Sequence, residues 1–152
     1  MKKQGGVALL EALFGMVIFL IGALTMIALQ ANGIAAQSDA QYRIEAANRV
    51  DQIIGQISLE VDRSSVAATS ASLATYALNA ITNDTCNFSG GTLSATVTAW
   101  ASSINLPGST TSMQQILVDT TAGAYNRVTV TVCWLAPGES VTRQHRVISY
   151  IN

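Results

Sequence analysis

The stretch VALLEALFGMVIFLIGALTMIAL, residues 7–29, decides the reading of this chain. Across its 23 residues Glu11 is the one charge and Thr25 the one hydroxyl. As an α-helix it would rise ~35 Å, enough to cross a hydrocarbon core about 30 Å thick with some tilt. Ahead of it stands MKKQGG, residues 1–6, and the positive charges of Lys2 and Lys3 predict that this end stays cytoplasmic while the rest of the chain lies outside. A secretory signal peptide has a shorter apolar run that closes on small residues of the Ala-x-Ala kind. This run is too long for that and carries a carboxylate. Such a group costs about 3 kcal/mol on insertion scales, so Glu11 calls for a partner or a task.

Composition agrees with a membrane-linked chain. At 152 residues there is room for one ordinary domain. Charged residues are 11% of the chain and the mean hydropathy is +0.35, more apolar than a soluble core alone explains. The net charge is −1, and without Lys2 and Lys3 six arginines face nine acidic residues, which leaves no basic footprint for nucleic acid. Cys86 and Cys133 lack Cys-x-x-Cys spacing and only one histidine accompanies them, too few soft ligands for zinc, so no metal and no cofactor is expected. If exported to an oxidising compartment they read as a disulfide worth about 4 kcal/mol in chain entropy; the alternative is two separate buried thiols.

After Leu29 the chain turns polar but keeps a helical period through Ile34, Tyr42, Ala46, Val50, Ile53, Ile54, Ile57 and Val61. No proline interrupts it, so one helix of roughly 80 Å is expected from Val7 to about Val61. The Ser/Thr/Ala-rich Ser64–Ser72 reads as a connection and Leu73–Ile81 as a short helix. Asn83 and Asn87 begin Asn-x-Ser/Thr patterns around Cys86, and with Gly90-Gly91 the cluster reads as turn chemistry. Leu93, Val97, Trp100, Ala101 and Ile104 fall at helical spacing before Pro107-Gly108. Three strands follow: Gln115–Thr120, Tyr125–Leu135 and Val141–Ile151, the second alternating Val128, Val130, Val132 and Trp134 against Thr129, Thr131 and Cys133. The fold class expected is α+β, with a small antiparallel sheet covering the exposed half of the helix.

Gly6, an apolar Val7, and a glutamate fifth from it inside about twenty apolar residues resemble the leader junction of type IV prepilins and of type II secretion pseudopilins. The resemblance implies a type IV pilin fold. It also implies cleavage between Gly6 and Val7 by prepilin peptidase, an aspartyl protease of the membrane, methylation of the new amine at Val7, and a role for Glu11 in subunit assembly. Val7 and Ala28 stand where the family commonly has phenylalanine or methionine and a proline. The run from Glu11 to Ala31, with Trp100, Leu106-Pro107-Gly108 and the valine-rich strand ending in Trp134, is most similar to the PilV-like minor pilins.

The organisation expected is therefore a leader at 1–6, a transmembrane helix at 7–29, its amphipathic continuation at 30–63 and a globular head at 64–152. By resemblance the chain is a minor pilin that primes pilus assembly or joins the tip complex, with a minor pseudopilin of type II secretion as the alternative. The partners implied are other minor and major pilins, prepilin peptidase and an inner-membrane assembly platform. The location implied is the bacterial inner membrane, single-pass with a periplasmic head, and then the cell-surface pilus. An enzyme is not expected: His145 lies between Arg143 and Arg146 on a strand, and Asp84, Asp119 and Glu139 are scattered singly. A head that binds a surface or DNA would draw on Arg127, Arg143 and Arg146, should the last two strands pair them.

Overall fold

The computed structural model describes residues 5–151; of the expected leader, Met1 to Gln4 lie outside the described residues. The first element is α1, Gly5–Glu60, and the chain divides after Ala40 into two compact units, Met1–Ala40 and Gln41–Asn152. The later unit holds the rest of α1, α2 (Val66–Ala74), β1 (Ile81–Asp84), β2 (Asn87–Ser89), α3 (Ala95–Ser103), a 3₁₀ turn at Thr111–Met113, β3 (Gln114–Asp119), β4 (Arg127–Trp134) and β5 (Arg143–Tyr150). The class is α+β, with a long apolar amino-terminal helix and a small antiparallel sheet.

Within the later unit the helical period becomes a buried stripe. Ala46, Val50, Ile53, Ile57 and Val61 recur at three and four residues and are all buried, while Ile34, in the amino-terminal unit, is exposed. The helix stops at Glu60, where Arg63 donates to the carbonyls of Ser58 (2.6 Å) and Val61 (3.3 Å), and the Asp62 carboxylate accepts from Ser64 N–H at 2.8 Å. The two Arg63 contacts satisfy carbonyls that the helix end leaves without partners.

The sheet has the order β3-β4-β5, antiparallel throughout, with Thr131 opposite Gln115 on one side and Arg146 on the other. Val128, Val130, Val132 and Trp134 join the α1 stripe in one core with Leu73, Val97, Trp100 and Ile116. Trp100 also donates its indole N–H to the Arg49 carbonyl at 2.8 Å, fixing α3 on α1. Leu78 extends the sheet past β3 by exchanging two 3.0 Å backbone hydrogen bonds with Ile116. Next to it Asn79 donates to the carbonyls of Thr111 (2.8 Å) and Gln114 (3.0 Å) and accepts from Gly91 N–H (3.1 Å).

Two local expectations are corrected. Helix α2 occupies Val66–Ala74, where a connection was expected, and of the helix expected over Leu73–Ile81 only Leu73 and Ala74 are helical. Ser65 caps α2 by accepting from Ala68 N–H at 3.1 Å, and Thr69 and Leu73, four apart, bury its inner face. The cluster around Cys86 is a short hairpin, β1–β2, and not turn alone. Strand β4 carries Val128, Val130, Val132 and Trp134 on the face toward the core and Thr129, Thr131 and Cys133 on the other. From Val128 to Trp134 both faces are buried, because the hairpin lies over Cys133 and brings Cys86 and Phe88 against it.

Candidate functional site

An apolar helix without cover is the dominant feature of the amino-terminal unit. Every large apolar side chain from Val7 to Leu29 is exposed, from 44% at Val17 to 75% at Leu9. This helix is long and apolar enough to cross a membrane. A helix satisfies its own backbone groups, and Thr25 satisfies its hydroxyl by donating to the Gly22 carbonyl at 2.8 Å. Glu11 is then the polar group left over: it is exposed and has no ion pair or hydrogen bond among the described residues.

Gly6, Val7 and Glu11 all lie within the helical span. Val7 and Glu11 are four apart, so their positions are neighbours on one helix face, separated by about 6 Å of rise. Nothing stands within 4 Å of where a side chain would begin at Gly6, Gly15 or Gly22, so the helix is open at each of these positions.

In the later unit Cys86 and Cys133 are joined in a disulfide, with Cα atoms 5.8 Å apart across 47 positions of sequence. Tyr76, buried, donates its hydroxyl to Glu60 at 2.9 Å; burial first, and then that hydrogen bond, push its pKa up to about 12. The three arginines do not form one cluster. Arg143 faces α1 beside Trp134 and pairs with Glu139, whose carboxyl it holds below the usual carboxylate range. Arg127 and Arg146 lie on the opposite face, where Arg127 pairs with Asp119 at 2.9 Å. His145 borders a groove of about 430 Å³ with Arg43, Ile44 and Trp134, with no carboxylate among the lining residues. Among the described residues no three His, Cys, Asp or Glu side chains converge as a metal site would require.

Sequence reasoning missed a second groove, of about 230 Å³, between the β1–β2 hairpin and the sheet. Thr131 and Arg146 share it although they lie fifteen positions apart, because the β4–β5 register sets them opposite each other. The strand pattern alone could not supply that register. No family model, no curated protein and no solved structure matches the chain.

Proposed function

We propose that this chain is a minor pilin-like subunit, cut by prepilin peptidase between Gly6 and Val7, anchored by residues 7–29 in the bacterial inner membrane and drawn from there into a type IV pilus. The observation that carries the reading is the Glu11 carboxylate, which has no ion pair or hydrogen bond among the described residues, one helical turn from the junction in an otherwise apolar stretch whose large side chains are all exposed. Cleavage at Gly6 creates a cationic amine at Val7, and a cation is what the Glu11 carboxylate needs once the helix is in an apolar surrounding. In a low-dielectric filament core the amine of one subunit and Glu11 of another stabilise each other, whereas either alone is costly. The pairing sets the register of an incoming subunit. An α+β head with a disulfide suits the oxidising compartment outside the membrane.

The partners in this reading are other pilins, the peptidase and an inner-membrane assembly platform, and the subunit acts in priming assembly or at the filament tip. Mass spectrometry of the mature amino terminus tests it first: the expected product begins at methylated Val7, and a product beginning at Met1 in cells with active prepilin peptidase refutes processing. Deletion in the native host tests the machine. Loss of surface pili and twitching supports the pilus, while intact pili with blocked exoprotein secretion assigns the chain to a type II secretion pseudopilus.

A further inference from the structure

The outer face of the sheet holds a polar groove that the filament reading does not use. It is about 230 Å³, bordered by Thr82, Thr85, Phe88, Thr131, Gln144 and Arg146 among others, and none of its lining residues is acidic. Two features are out of keeping with a plain surface dimple. Thr131 is 2% exposed, yet its hydroxyl has no hydrogen-bond partner among the described residues. Buried hydroxyls are nearly always satisfied, by protein, water or ligand. Opposite it on the same face, Arg146 has no ion pair or hydrogen bond among the described residues. The neighbouring cation behaves differently, since Arg127 is held by Asp119.

Gln115 completes the row across the sheet but is already engaged, donating to the Asn79 carbonyl (2.9 Å) and the Thr82 hydroxyl (3.0 Å). That fixes the wall and leaves the groove with a guanidinium, hydroxyls at Thr85 and Thr131, and the Gln144 amide. A guanidinium selects a planar oxyanion through two parallel hydrogen bonds. Hydroxyls and an amide select a ligand that itself carries hydroxyls, and Phe88 supplies an apolar border. The volume falls below the roughly 300–1,000 Å³ of pockets for drug-sized molecules, so the occupant is a single ring.

We infer that this groove binds one acidic sugar residue, with its carboxylate on Arg146 and its hydroxyls on Thr131, Thr85 and Gln144. The site is independent of whether the chain assembles into a filament.

The test titrates the full-length chain in detergent micelles with galacturonate, galactose and inorganic phosphate, followed by amide and side-chain NMR shifts. Galacturonate is expected to move the signals of Thr131, Gln144 and Arg146, with galactose and phosphate each weaker by about ten-fold, the loss of one charge-assisted contact or of the hydroxyl contacts. Arg146→Gln, at an exposed strand position, is expected to weaken galacturonate about ten-fold. Thr131→Val is expected to weaken it several-fold while the melting temperature stays level or rises, because the substitution removes an unsatisfied buried hydroxyl. Galactose binding as tightly as galacturonate, phosphate doing so, no shift at all, or variants that bind like the parent would each overturn the proposal.

Discussion

Glu11 and Tyr76 are two polar side chains whose partners differ in kind. For Glu11 the partner proposed arrives from outside, so its replacement leaves the free subunit intact. Glu11→Ala is expected to be cleaved and methylated normally, yet to fall at least about ten-fold in the filament fraction, the equivalent of about 1.4 kcal/mol per subunit contact. Immunoblots of sheared filaments against whole cells measure it; parental incorporation would show the charge pairing to be dispensable. For Tyr76 the partner is already present in Glu60, so its replacement acts on folding. Tyr76→Phe is expected to lower stability by about 1–2 kcal/mol in denaturant unfolding at neutral pH. The sign of its pH dependence follows from a pKa raised to about 12 against about 10 unfolded. The neutral hydroxyl is the form that the fold favours, so its contribution is whole below pH 10 and is lost as the pH rises toward 12. The phenylalanine variant should lose that alkaline limb, which unfolding curves between pH 9 and 12 would show. Gly108 is constrained differently: at φ +59° a Cβ would meet the Leu135 Cβ at 2.8 Å and its carbonyl at 3.1 Å. Gly108→Ala should therefore cost about 1–3 kcal/mol, measured by the same unfolding curves.

Among the elements, the hairpin β1–β2 depends most on a single bond. It has four and three residues per strand, too short to persist alone, and it holds to the sheet through Cys86–Cys133 and the Phe88 cluster. Replacing both cysteines by alanine is expected to destabilise the head by about 4 kcal/mol on the chain-entropy model and to raise amide exchange first in residues 81–89. Exchange rising equally in β4 would show that the bond secures the whole head and not the hairpin. The same elements mark where the sequence was readable. The α1 stripe and the alternation of β4 were legible because each is a local period, 3.6 or 2. That the second face of β4 is covered was not, since its cover comes from a hairpin more than forty positions earlier, and no local pattern encodes such a pairing. Helix α2 escaped for a different reason. Its Ser, Thr and Ala content resembles a linker, and only the Ser65 cap with the Thr69–Leu73 spacing separates the two readings. Glu11 was legible because a charge in an apolar run stands out, whereas Thr131 and Arg146 become a pair only through strand register.

At the scale of the molecule the two units place opposite demands on solvent. Up to Ala40 the chain has no buried apolar side chain among the described residues, whereas from Gln41 onward the later unit has a core running from Ala46 to Ile151. An exposed apolar surface as large as that of Val7–Leu29 is not tolerated in water, so the amino-terminal unit determines how the full chain behaves in solution. Every helical residue of the core stripe lies at or after Tyr42. A chain beginning at Gln41 and exported to the periplasm is therefore expected to be soluble and monomeric, to unfold cooperatively, and to contain the Cys86–Cys133 bond. The full chain should remain in the membrane fraction through carbonate extraction. Sedimentation, thermal unfolding and thiol titration read the first outcome, and fractionation reads the second. An aggregated or molten head would mean that residues before Gln41 contribute to folding, and release of the full chain by carbonate would remove the membrane anchor from the proposed function. The division after Ala40 thus makes anchoring and head folding separable, and each can fail without the other.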